Sequence, residues 1–177
     1  KDQWLSATAM KRILITTGDL NGIGLEVTLK ALSKIGPKKK CQFYFFSNPK
    51  SEKKYFNILD KKFKRIIFTD LYNALEAPLN SHCIYEIKTD LNPVLCFEQA
   101  VLAANQKRID AIVTAPLSKQ LIFDSGLNDR GHTDIMRRLV KTTKPILMAF
   151  KGAHFSLVLA SDHVALKDVP ASLNASM

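Results

Sequence analysis

The feature that most constrains this chain is a repeated alternation. Short apolar runs that suit buried strands take turns with segments whose apolar residues recur at helical spacing. Arg12-Ile-Leu-Ile-Thr16 is such a run, followed closely by Gly18. Ile23 to Ile35 then carries apolar residues at Ile23, Val27, Leu29, Leu32 and Ile35, and Gly36-Pro37 stops the helix. Gln42 to Phe46, Ile66 to Thr69 and Ile84 to Ile87 read as further strands, with a short helix over Lys53 to Leu59. Val94 to Gln106 is helical, and Ala111 to Thr114 is another strand, ending just before Pro116.

Beyond it, Leu117 to Phe123 makes a short helix closed by Ser125-Gly126. Thr133 to Val140 makes another, with Thr133 as its N-cap. Ile146 to Phe150 and Phe155 to Ala160 are close enough to form a hairpin, and no clear element follows them. This order predicts an α/β fold: a mixed, mostly parallel sheet with helices on both faces. Its central strands are expected to be led by Arg12 to Thr16 and Ala111 to Thr114.

Composition excludes several classes. With 46% hydrophobic residues and 24% charged, the chain is not a disordered tail. Its longest apolar runs fall far short of the roughly 20 residues that span a bilayer, so no membrane partner is expected. Three widely spaced cysteines, Cys41, Cys83 and Cys96, include no C-x-x-C pair and point to a reducing cytoplasm. Fourteen of the 26 Lys and Arg fall between residues 11 and 65, against four acidic residues. They lie beside strand and helix ends without interleaved aromatics, which reads as solvated loop charge. Nucleic acid is not expected as a partner; a non-catalytic basic binding module is the reading that this charge would otherwise support. Residues 1–9 precede Met10 and a clean strand pattern, and are expected to be a leader.

Ligands of open α/β sheets gather at the carboxyl ends of strands, where loops converge. Three places there could carry chemistry. Thr17-Gly18-Asp19-Leu20-Asn21-Gly22-Ile23-Gly24 packs three glycines into seven residues, and is neither G-x-G-x-x-G nor a P-loop. It suits a tight strand-to-helix turn as well as a ligand loop. Thr114-Ala-Pro-Leu-Ser-Lys119 offers two hydroxyls and a cation, or simply a helix start. The third place is a pair, Gly131-His132-Thr133 at a helix start and Ser161-Asp162-His163 after a strand; either histidine could be structural. His82 and His154 read as ordinary loop residues.

Taken in order, four segments resemble the 4-hydroxythreonine-4-phosphate dehydrogenase family of vitamin B6 biosynthesis. They are Met10 to Glu26, Asp110 to Lys119, Ser125-Gly126 with Gly131-His132-Thr133, and Leu157 to Asp168. The resemblance covers nearly all of residues 10 to 170. It implies that His132 and Thr133 contact a small phosphorylated substrate and that His163 is one ligand of a divalent metal (zinc, magnesium or cobalt). Gly18, Asp19, Thr114 and Lys119 are expected to line the same cleft. It further implies oxidation by NAD or NADP followed by decarboxylation, a homodimer with a site shared between subunits, and part of a two-domain dehydrogenase. A related enzyme for another phosphorylated hydroxy acid is the alternative. A first domain is expected over residues 10–130 and an incomplete second one over 131–177. Leu25 stands where many relatives have proline, and Ser118 where histidine is frequent. Family members are nearly twice as long, so the chain is expected to be truncated and inactive alone.

Overall fold

The computed structural model describes residues 9–51, 55–142, 146–161 and 164–173. They form two compact units, Lys1–Val140 and Lys141–Met177. The division falls after Val140 rather than at residue 131. The helix over His132–Leu139 belongs to the first unit because its Ile135 is fully buried against Val94, Phe97 and Val101.

The first unit runs β1 (Lys11–Thr16), α1 (Gly24–Ile35), β2 (Cys41–Ser47), α2 (Phe56–Leu59), β3 (Lys64–Phe68), α3 (Leu71–Glu76), β4 (Cys83–Lys88), α4 (Pro93–Asn105), β5 (Ala111–Thr114), α5 (Lys119–Asp124) and α6 (His132–Leu139). The five strands make one sheet in the order β3-β4-β2-β1-β5, every neighbouring pair parallel. The expected α/β class holds, and this sheet is wholly rather than mostly parallel. Each strand returns through a crossover, which is what parallel pairing requires.

Strand side chains alternate between two cores. On one face Ile15, Phe43, Phe45 and Ile84 meet Leu29 and Leu32 of α1 and Phe56 and Leu59 of α2. On the other Leu14, Tyr44, Phe46, Tyr85 and Ile87 meet α3 and α4. That double burial explains why β2 reads Gln-Phe-Tyr-Phe-Phe without polar alternation.

Three features differ from the sequence expectation. β5 is an edge strand among the described residues, not a central one, because the β4–α4–β5 crossover carries the chain past β2 and β1; Val113 is 50% exposed there. α3 was not anticipated: it is six residues long, and its signal is Asp70, whose carboxylate accepts from Asn73 N–H at 2.8 Å. Thr133 is not an N-cap. α6 starts one residue earlier, so Gly131 holds that place and Thr133 sits inside the first turn.

The second unit contains an antiparallel hairpin, β6 (Ala149–Lys151) with β7 (Ser156–Val158), pairing Phe150 with Leu157. Both strands are shorter than expected. A 3₁₀ turn over Leu166–Asp168 and a one-turn helix, α7 (Val169–Ser172), follow where no element was expected. Lys38, Lys39, Lys40, Lys61 and Lys62 are exposed, as solvated loop charges should be; Lys53 and Lys54 lie outside the described residues. No described helix is long and apolar enough to cross a membrane. The three cysteines are free thiols, and burial pushes that of Cys96 up to about 12, so it does not ionise as a nucleophile near neutral pH.

Candidate functional site

β1 and β5 are neighbours; α1, after β1, packs into one core, and Ile122 of α5, after β5, packs with α4 in another, and ligands of such sheets gather at the strand ends. The loops after these strands are bound to each other. Ala115 N–H donates to Thr16 C=O at 2.8 Å, and Asp19 N–H to Pro116 C=O at 3.2 Å. The Asp19 carboxylate accepts from Ser118 N–H at 3.2 and 3.1 Å. Ser118 in turn caps α5, accepting from Leu121 N–H at 3.2 Å.

The glycines of the first loop are explained by this closure. Gly18 has φ +69°, and a Cβ there would stand 2.2 Å from the Pro116 carbonyl oxygen. At Gly24 a Cβ would stand 2.0 Å from Thr17 O and 2.7 Å from the Ala115 Cβ. Of the two readings left open for this loop, close approach of chain to chain is the one the geometry favours at these positions.

His132 is held against the same loop. α6 is seated by Ile135, and Arg138 ties it to Glu98 of α4 and to Asp129. The imidazole meets the Phe97 ring edge-on, with centroids 4.7 Å apart and planes at 84°. Burial lowers its pKa, and a hydrogen bond with the Ala115 backbone works the other way. Its Nε2 is buried with no hydrogen-bond partner. Such a nitrogen costs about 1–3 kcal/mol until something supplies one.

The structure thus brings Gly18, Asp19, Thr114 and His132 to one end of the sheet: Thr114 pairs with Thr16, and Ala115 lies between the glycine loop and the imidazole. Thr133 is half-buried in the first turn of α6, and Lys119 opens α5 with its side chain exposed. His163 and Asp162 lie outside the described residues. Among the described residues no three His, Cys, Asp or Glu side chains gather to hold a metal ion.

A cavity of about 430 Å³ lies beside the glycine loop. Gly18, Asp19 and Asn21 of that loop line it, on the segment that the sequence singled out. Sequence reasoning missed its other wall, where Glu26, Asn48, Lys50 and Tyr55 stand. Phe97, the ring partner of His132, was also missed, because an apolar helix position carries no mark of what it will meet.

Comparison with known proteins decides the family. The family model described as "Pyridoxal phosphate biosynthetic protein PdxA" matches residues 52–177. This chain belongs to that family. Its PdxA relatives include the 4-hydroxythreonine-4-phosphate dehydrogenase of Sulfurihydrogenibium sp. (strain YO3AOP1), 29% identical over 175 residues, covering 93% of this chain and 53% of that protein. The enzyme of that name from Campylobacter fetus is 29% identical over 171 residues, covering 94% and 52%. The chain therefore spans about half the length of the curated PdxA relatives it matches. A crystal structure of a 4-hydroxythreonine-4-phosphate dehydrogenase from Burkholderia phymatum superposes with TM-score 0.68 at 24% identity, covering 90% of this chain and 52% of that one. At that identity the likeness speaks for the shared PdxA fold.

Proposed function

We propose that this chain forms the substrate-holding part of a 4-hydroxythreonine-4-phosphate dehydrogenase acting in pyridoxal phosphate biosynthesis. The observation that carries the reading is His132: a mostly neutral imidazole, seated at a helix start, with a buried and unpartnered Nε2. A substrate oxygen reaching that nitrogen would relieve its cost. A neutral ring can accept a hydrogen bond or take up a proton to meet a phosphate. Thr133, one residue on, adds a hydroxyl and stands in the first turn, where free backbone N–H groups favour anions. Asp19 and Ser118 hold the adjacent loop, so the position of the Ala115 carbonyl is set before substrate arrives.

The reading includes NAD or NADP, whose nicotinamide supplies the hydride acceptor, and a divalent metal with His163 as one ligand. The described residues do not by themselves build the metal site, so no step is routed through it. A homodimeric, cytoplasmic enzyme completes the reading.

The test is a chimera in which residues 10–170 replace the matching segment of the Sulfurihydrogenibium enzyme. It should reduce NAD(P) with 4-phosphohydroxy-L-threonine, and His132→Asn should lower turnover at least about a hundredfold. A chimera that folds and turns over another phosphorylated hydroxy acid in preference would correct the substrate. One indifferent to His132→Asn would end the reading.

A further inference from the structure

Among the described residues of the β2–β3 crossover the one α-helix is α2, a single turn, and the face of β3 and β4 beside it is partly open. Parallel sheets are normally covered on both faces. Here a cavity of about 270 Å³ remains, and Ile67 on its wall is 52% exposed.

At the cavity's floor is a charge that packing does not require. Glu86 of β4 is 1% exposed. It lies on the face of Phe45 and Ile67, where the register would accept an apolar residue. Its Oε1 accepts from the Ser47 hydroxyl and its Oε2 from Arg65. Arg65 is otherwise consumed by Asp60, bonded through Nε at 2.8 Å and Nη2 at 3.1 Å. Burying such a pair costs several kcal/mol in desolvation, and apolar replacements often hold a fold as well. A carboxylate offers about four lone-pair sites, and two are taken here.

Lys88 lies two residues further along β4, on the same face and lining the same cavity. Among the described residues it has no ion-pair partner. Asn48, Ser51 and Asn57 complete a polar rim. The cavity therefore presents a hydrogen-bond acceptor at its floor and an ammonium at its mouth, on residues whose Cα atoms are about 7 Å apart along the strand.

We propose that this cavity is a binding site for a small hydroxylated anion, whose hydroxyl donates to Glu86 beside Ser47 and whose carboxylate or phosphate pairs with Lys88. A three-carbon hydroxy acid is small enough for a cavity of about 270 Å³. The site is distinct from the His132 region, since β4 and β5 are separated by β2 and β1, about 14 Å across the sheet.

The experiment is calorimetric titration of the full chain with glycerate and, separately, glycerol 3-phosphate, with glycerol and inorganic phosphate as controls. Saturable binding of either hydroxylated anion is expected, and the two arms show whether carboxylate or phosphate is preferred. Lys88→Ala and Asn57→Ala, both at the rim, should each weaken it about tenfold. Glu86→Gln should weaken it further if the variant folds. His132→Asn should leave it unchanged, which separates this site from the dehydrogenase reading. Absence of binding at millimolar ligand would overturn the proposal. So would equal binding of inorganic phosphate, indifference to both rim variants, or loss of binding in His132→Asn.

Discussion

The Asp19 carboxylate accepts the Ser118 N–H with both oxygens, at 3.2 and 3.1 Å, across 99 residues of chain. One side chain thereby fastens the β1–α1 loop to the start of α5. The cavity beside that loop is lined on its other side by Asn48, Lys50 and Tyr55, and not by Thr114 to Lys119.

Asp19→Ala should cost about 1 kcal/mol in urea denaturation, a modest figure because the bond is partly solvated. Asp19→Asn retains an acceptor and should cost less than half as much. Equal losses for the two would mean that the carboxylate acts other than through Ser118.

Two glycines should separate sharply. Gly24→Ala places a methyl group 2.0 Å from Thr17 O, with backbone that cannot yield, and should cost about 3 kcal/mol or more. Gly131 has φ 171°, an extended conformation open to any residue, with nothing within 4 Å of a Cβ. Gly131→Ala should change stability by less than about 0.5 kcal/mol. Thermal midpoints of the two variants decide the matter.

His132 sets a pH dependence whose sign follows from burial. Its folded pKa lies below the ordinary value of about 6.5, so the unfolded chain binds the proton more readily. The stability associated with the neutral ring is fully present above that ordinary value. It is lost as pH falls through it toward the lower folded one. Denaturation midpoints between roughly pH 5 and 8 should therefore drop on the acid side, and His132→Asn should flatten that part of the curve. An unchanged slope in the variant would place the effect on another group.

Arg65→Met should destabilise by about 3 kcal/mol, because Glu86 is left charged in the sheet without its guanidinium. Adding Glu86→Met should recover much of that loss. A double variant as unstable as the sum of the singles would show that the two side chains are not coupled.

The 177-residue chain by itself should show no NAD(P) reduction with 4-phosphohydroxy-L-threonine and only weak zinc binding by calorimetry. A transition-metal site normally draws three or more protein ligands into fixed geometry. Positioning of reactants accounts for roughly 7–11 kcal/mol of a barrier in favourable cases, and the chain spans about half of its relatives. Turnover comparable to a full-length relative would refute this expectation.

The strand and helix alternation, the parallel α/β class and the loops after β1 and β5 were legible in the sequence because each rests on local periodicity. The caps Asn92 and Ser118 rest on equally local contacts, closing on residues two or three positions away, although the sequence reading began those helices at Val94 and Leu117. Placement between distant segments was not legible. Nothing in Ala111 to Thr114 says that it will be an edge strand, since that depends on which side of β1 the crossover from β4 reaches. The glycine loop has one composition whether it meets a ligand or Pro116, and only the approach of a segment about a hundred residues away decided it. Glu86, inside β4, and Arg65, inside β3, carry no local mark of burial; only the pairing of β3 with β4 and β4 with β2 encloses Glu86. Burial is a property of neighbours brought together by the fold, and so the chemistry that depends on it, at His132 as at Glu86, was settled by tertiary structure.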